Sequence, residues 1–145
     1  MAPREKIYII GISDDGHEGL SPSARDRLTQ ADLLIGSEHT LRVVPRGKEE
    51  RLPVGDDLSA VVKRIDSAPA SARIVVLATG DPLFYGVARF LCDRLGKDRF
   101  EVVPHVSAMQ MAFARIKESW DEAYLTDLAR QSLDRVVEKI RSAEK

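Results

Sequence analysis

One cysteine, no apolar run approaching membrane length and no surplus of either charge are the most telling shortages of this sequence. Cys92 alone cannot close an internal disulfide and has no neighbours at zinc-ligand spacing, so a disulfide scaffold and a structural zinc site are both excluded. Its setting, ARFLCDRLG, suits a small apolar residue on a helix in a reducing compartment. A membrane-spanning helix needs about 20 consecutive apolar residues, which no stretch supplies. MAPREK opens directly onto a strand pattern without a signal-peptide apolar stretch, so a cytoplasmic protein is expected. With 22 basic against 23 acidic residues interleaved along the chain, no electrostatic footprint for nucleic acid or an anionic membrane is present.

What is there is ordinary globular material: 145 residues, 43% apolar and 31% charged, enough for one compact domain with a core. KIYIIGI (Lys6 to Ile12) reads as a strand buried on both faces, ending at a polar loop. In SPSARDRLTQA, Ser21 can cap a helix whose first position is Pro22. DLLIG (Asp32 to Gly36) is a second strand, SEHTLRVV a short helix capped by Ser37, and Leu52 to Val54 a loop or edge strand. DDLSAVVKRIDSA spaces Leu58, Val61, Val62 and Ile65 as one helical face, with Asp56 or Asp57 as cap. ARIVVLATG is the strongest strand pattern, and FYGVARFLCDRLG after it aligns Phe84, Val87, Phe90, Leu91 and Leu95. FEVVPHV reads as a strand, SAMQMAFARIK as a helix, EAYLTDL as a weak last strand, and SLDRVVEKIRSAEK as a closing helix striped by Leu133, Val136, Val137 and Ile140.

Strands alternating with helices at these spacings predict an α/β fold, a mostly parallel sheet with helices on both faces. In such sheets ligands gather beyond the carboxyl ends of the strands, which directs attention to three loops: Ser13 to Gly19, Thr79 to Tyr85 and Pro104 to Ala108. In ATGDPLFYG, Gly80 permits a conformation closed to other residues, and Pro82 pushes Asp81 toward an extended backbone at the strand end. The result is either a rigid acidic shelf for ligand hydroxyls or an ammonium group, or a carboxylate that caps the next helix. The first loop, GISDDGHEGL, lacks both G-x-G-x-x-G and a phosphate-binding lysine, which disfavours a dinucleotide or ATP site. His17 there reads as a solvated loop residue. Ser107 reads as the cap of the following helix, with small Ala108 behind it, and Met109, Met111 and Phe113 read as core. A nucleophilic Ser107 activated by His105 is disfavoured, because near neighbours in one loop rarely reach the required geometry.

Three stretches, IYIIGISDDGHEGLSPSARDRLTQADLLIGSEHTL, VVLATGDPLFYG and VVPHVSAMQMAFARIKESWDEA, together resemble the tetrapyrrole methylases over nearly the whole chain. The resemblance implies transfer of a methyl group from S-adenosylmethionine to a ring carbon, C5, of a precorrin in cobalamin biosynthesis. Carried over by position, it places Thr79, Gly80 and Asp81 along the cofactor, Phe84 packed on it, Ser107 and Ala108 closing the other side, and Ile12 and Ser13 bordering the cleft. It supplies no catalytic side chain and no metal. Members build their cleft between two α/β domains, so residues 1–145 are expected to form the amino-terminal one, the second being absent from this chain. A tetrapyrrole substrate, no nucleic acid, no membrane and a homo-oligomer are the expected associations. The chain departs from the family pattern at Ser13 and Asp14, where glycine and proline are usual, at His105, where glycine is usual, and at Asp127 to Gln131, where histidine-glycine-arginine is usual. These departures keep a second reading in view, a binding or assembly module that retains the fold without catalysis. A free-standing nucleotide-binding module of flavodoxin-like type rests on architecture alone.

Overall fold

A computed structural model describes residues 3–143. The chain divides into two compact units, Met1–Ser107 and Ala108–Lys145.

The first unit carries five strands, β1 (Ile7–Ile12), β2 (Leu33–Gly36), β3 (Glu50–Pro53), β4 (Ile74–Thr79) and β5 (Phe100–Val103). All pair in parallel, in the order β3-β2-β4-β1-β5. Period-two alternation sends the apolar residues of β1, β2 and β4 to both faces, as a sheet covered on both sides requires. Ile7, Ile9, Leu33, Ile35, Ile74, Val76 and Ala78 form one cluster with Val61 and Ile65 of α3 (Leu58–Asp66) and Ala88 and Leu91 of α4 (Val87–Leu95). Ile10, Ile12, Leu34, Val75 and Leu77 form the opposite cluster with Ala24 and Leu28 of α1 (Pro22–Thr29) and Leu41 of α2 (Glu38–Arg42). The α/β architecture with helices on both faces is therefore as expected from the sequence.

The helix starts follow the cap chemistry. Ser21 accepts from the Ala24 amide at 3.3 Å with Pro22 opening α1, Ser37 accepts from the Thr40 amide at 3.2 Å, and Asp57 accepts from the Ser59 amide at 2.9 Å. The stretch around Leu52 proves to be the edge strand β3, where Pro53 is tolerated because it ends the strand.

Two expectations are corrected. Residues 80–86 form turns and α4 begins only at Val87, so Phe84 is not part of its apolar face. EAYLTDL forms no strand; residues 122–128 are turn and irregular structure. Its apolar residues alternate too weakly to claim a place in a sheet.

The second unit holds α5 (Ala108–Ile116) and α6 (Leu133–Ser142). Lys117, in left-handed backbone at φ +60°, ends α5, and the Glu118 amide returns to the Phe113 carbonyl at 3.2 Å. Contrary to the sequence reading, α5 buries no residue: Met111 is exposed and Met109 and Phe113 are half-buried. No helix among the described residues is long and apolar enough to cross a membrane.

Candidate functional site

Because β4, β1 and β5 are sheet neighbours, their three carboxyl-end loops meet at one corner. The register sets Ile12 opposite Thr79 and Ile10 opposite Val103, so the strands finish within a few residues of one another. The Gly80 amide then donates to the Ile12 carbonyl at 2.9 Å, extending the pairing one step into the loop.

Two glycines make this convergence feasible. A Cβ on Gly11 would lie 2.1 Å from the Gly80 carbonyl oxygen and 2.8 Å from both the backbone nitrogen and Cβ of His105. Gly80 itself adopts φ +66°, and a Cβ there would lie 3.1 Å from the Ser107 Cα. Any larger residue at Gly11 would force the loops apart.

Asp81 resolves the alternative left by the sequence. Its Oδ1 accepts from the Leu83 amide at 2.9 Å and the Phe84 amide donates to its carbonyl at 3.0 Å, so the carboxylate closes its own turn and does not cap α4. The N-cap of α4 is Gly86, which packs so tightly on Pro82 that a Cβ would lie 2.3 Å from the Pro82 carbonyl oxygen. Pro82 is fully buried under this turn. Between them Tyr85 is held at φ +52°, an uncommon conformation for a bulky residue, with its ring edge-on to Phe84 at 5.0 Å. Asp81 thus has one oxygen committed to the backbone, its other oxygen on a half-buried shelf, and an aromatic pair behind it.

Across the corner, Ser13 donates its hydroxyl proton to Asp15 Oδ1, and His105 Nε2 lies 3.0 Å from the same hydroxyl oxygen. Having spent its only proton on the carboxylate, Ser13 accepts from His105 Nε2–H. Nε2 therefore carries a proton, and Asp15 Oδ1 lies 3.8 Å from that nitrogen. This order is the reverse of a nucleophilic serine, whose proton must point to the imidazole. The contact ties the first loop to the third.

The structure thus brings Ser13, Thr79, Gly80, Asp81, Phe84 and Ser107 to one end of the sheet. Thr79 is exposed at the end of β4, and Ser107 is buried. Ile12 shares the corner only through its backbone, since its side chain is 1% exposed within the core. Ala108 opens α5 in the second unit. The Asp15 contact and the strain at Tyr85 were not read from the sequence. The acid pair before Gly16 was the available signal for the first, and nothing in the residue order signals the second.

The corner suits S-adenosylmethionine in kind: a carboxylate oxygen for ribose hydroxyls or an ammonium group, backbone brought close by glycines, and an apolar ring. Residues 6–143 match the family described as Tetrapyrrole (Corrin/Porphyrin) Methylases. The cobalt-precorrin-7 C(5)-methyltransferase of Salmonella typhimurium is 32% identical over 120 residues, covering 83% of this chain and 59% of that protein. The chain thus spans less than two thirds of the length of this curated relative. Among solved structures, the cobalamin-biosynthesis precorrin-6Y methylase of Archaeoglobus fulgidus superposes with a TM-score of 0.64 at 22% identity, covering 81% of this chain and 60% of that one. The uroporphyrin-III C-methyltransferase of Thermus thermophilus, solved with S-adenosyl homocysteine, superposes at 0.57 with 24% identity, covering 74% and 47%.

Proposed function

The chain belongs to the tetrapyrrole methylases, and we propose that it is the amino-terminal α/β domain of an S-adenosylmethionine-dependent methyltransferase acting on carbon 5 of a precorrin. The observation that carries this reading is the meeting of the β4, β1 and β5 loops around Asp81, in a chain whose curated relatives include a C(5)-methyltransferase.

S-adenosylmethionine, when bound, supplies a methyl group already activated on a sulfonium. The protein's own task is then placement. Asp81 offers its free oxygen to ribose hydroxyls, the backbone at Thr79 and Gly80 lines the cofactor, Phe84 gives it an apolar wall, and Ser107 closes the far side. The Ser13–His105 contact fixes the spacing between first and third loops. Pre-organisation of this kind is worth about 7–11 kcal/mol in well-oriented reactions, which relieves the protein of supplying a strong catalytic group. A second α/β domain, expected from the resemblance, forms the other wall of the cleft. A cytoplasmic homo-oligomer completes the proposal, and size-exclusion chromatography tests the association.

The test is calorimetric titration of S-adenosylhomocysteine into the chain and into Asp81→Asn. The amide oxygen can still accept from the Leu83 amide, so the turn survives while the charge is removed. Loss of a charge-assisted hydrogen bond predicts binding weaker by about tenfold, with an unchanged melting temperature. Equal affinity in both proteins removes Asp81 from the site. No binding to either folded protein, nor to the chain extended through the second α/β domain, overturns the methyltransferase reading and leaves a module that keeps the fold without the cofactor.

A further inference from the structure

At the opposite edge of the same sheet, α2, the chain from Val43 to Glu49 and the outer side of β3 enclose an open cleft of about 620 Å3. Its floor is apolar, from Leu41, Val44, Pro45 and Pro53, and three arginines line it, Arg42, Arg46 and Arg51.

These arginines are not equivalent. Arg51 is almost buried and belongs to the wall: Nε donates to Glu49 at 2.6 Å, Nη1 to the Leu41 and Val44 carbonyls at 2.7 and 3.2 Å, and Nη2 to the Pro45 carbonyl at 2.7 Å. Those bonds pin the chain that carries Arg42 and Arg46. Burial pushes the Glu49 carboxyl up, but hydrogen bonds from its own backbone, Arg51 and Gly47 outweigh it and hold the group below the ordinary carboxylate range. Its charge is therefore spent on Arg51. Glu50 is spent likewise on Arg64, at 2.6 Å. Arg42 and Arg46 are exposed and have no carboxylate within ion-pair distance among the described residues. Glu38, at the start of α2, is the single acid on the rim. The local balance is two unspent guanidinium groups over an apolar floor, with exposed Lys48 close by in the sequence.

The cleft and the corner stand at the two ends of one strand row, β3-β2-β4-β1-β5. Neighbouring strands lie about 4.8 Å apart, so β3 is about 10 Å from β4 and about 14 Å from β1 across the sheet. Guanidinium matches carboxylate geometry with two parallel N–H donors, and Arg is suited to this recognition where a lysine is not. We propose that this cleft is a carboxylate-anchoring subsite in which Arg42 and Arg46 bind acidic side arms of the tetrapyrrole substrate. The inference rests on the methyltransferase reading for its ligand, and on the cleft itself for its location.

The probe is uroporphyrin III, a fluorescent tetrapyrrole carrying carboxylate arms, titrated into the chain by fluorescence anisotropy at low and at physiological salt. The cationic tetra(N-methylpyridyl)porphyrin serves as control, and S-adenosylhomocysteine is titrated in parallel. The subsite predicts saturable uroporphyrin binding that weakens with salt, is absent for the cationic porphyrin, and drops by about tenfold for each arginine removed in Arg42→Ala and Arg46→Ala. Arg46→Glu should abolish it. Both positions are exposed, so melting temperatures should stay level, and affinity for S-adenosylhomocysteine should not change. Failure of uroporphyrin to bind, or equal binding by a variant carrying both Arg42→Ala and Arg46→Ala, overturns the subsite. If S-adenosylhomocysteine still binds in that case, the methyltransferase reading stands without it; if uroporphyrin binding responds as predicted while S-adenosylhomocysteine binds neither this chain nor the extended one, the subsite stands and the cofactor reading falls.

Discussion

Gly11 is hemmed by three groups at once, the Gly80 carbonyl oxygen at 2.1 Å and the His105 nitrogen and Cβ at 2.8 Å from where its own Cβ would stand. Two of those are backbone atoms of neighbouring loops, which cannot swing aside as a side-chain tip would. Gly11→Ala should therefore cost about 1–3 kcal/mol and loosen the corner, lowering affinity for S-adenosylhomocysteine as well. Gly55 supplies the contrast, since nothing lies within 4 Å of its Cβ position, and Gly55→Ala should be neutral or slightly stabilising. Urea unfolding of both variants decides it; equal stability would mean that the loops at Gly11 have room to part. Residue by residue, the sequence was informative where chemistry is local. Gly80 marked a place where a Cβ would obstruct, and the structure holds it at φ +66°; Asp81 before Pro82 read as an extended shelf or a helix cap, and the structure has it closing its own turn. The sequence was less informative where the outcome depends on distant chain: the Ile12 side chain belongs to the core because it packs in the cluster with Leu20, Ala24 and Leu41. The Ser13–His105 contact joins residues 92 apart, and no spacing rule reaches across that interval.

Among the elements, β2 and β4 are joined at their entrances by Asp32 and Arg73. The Arg73 guanidinium donates to Asp32 at 2.8 and 3.1 Å, and the Arg73 amide donates at 2.9 Å. The side-chain hydrogen bond from Arg73 is the largest cause holding the Asp32 carboxyl down to about 2, from 3.8. A carboxyl depressed by folding stabilises fully above its unfolded value and loses that contribution as pH falls through the folded one. The window is therefore about pH 4 down to pH 2. Both side chains are half exposed, so solvent screening reduces the contribution to about 0.5–1 kcal/mol. Asp32→Asn should lose that amount at neutral pH and show a flatter stability profile across the window, measured by urea unfolding at a series of pH values; a parallel offset at every pH would contradict the assignment. Helix starts were legible for the same local reason that this pair is strong: Ser21, Ser37 and Asp57 each satisfy an amide within three residues. The start of α4 was not, because the apolar spacing of Phe84 continues the helix pattern while the Asp81 turn and the Pro82 packing stop it.

Over the molecule as a whole, burial is distributed unevenly, and that distribution makes its own prediction. β1 and β4 lie inside the sheet with apolar residues clustered on both faces. In the second unit α5 buries nothing and α6 only Val136, although the sequence striped α6 with Leu133, Val136, Val137 and Ile140. Periodicity tells which residues share a face, not what covers it, and here Leu133 and Ile140 are 66% and 68% exposed. Helices of 9 and 10 residues are too short to be stable on propensity alone and depend on packing for their stability. Amides open with free energies that run from near zero in sparsely packed segments to the full unfolding value in the core. Hydrogen exchange followed by mass spectrometry should therefore find peptides from β1 and β4 the slowest in the chain and those from α5 and α6 exchanging at least about a hundredfold faster, a difference of about 2.7 kcal/mol. Equal protection in the two units would show that the second is stabilised by packing beyond the burial of Val136. Adding S-adenosylhomocysteine sharpens the comparison. A ligand seated on Asp81 and the β4, β1 and β5 loops stabilises the elements it touches by mass action, so the turn from Gly80 to Gly86 should slow most, while peptides covering α3, packed along the sheet face away from that corner, change only through global stability.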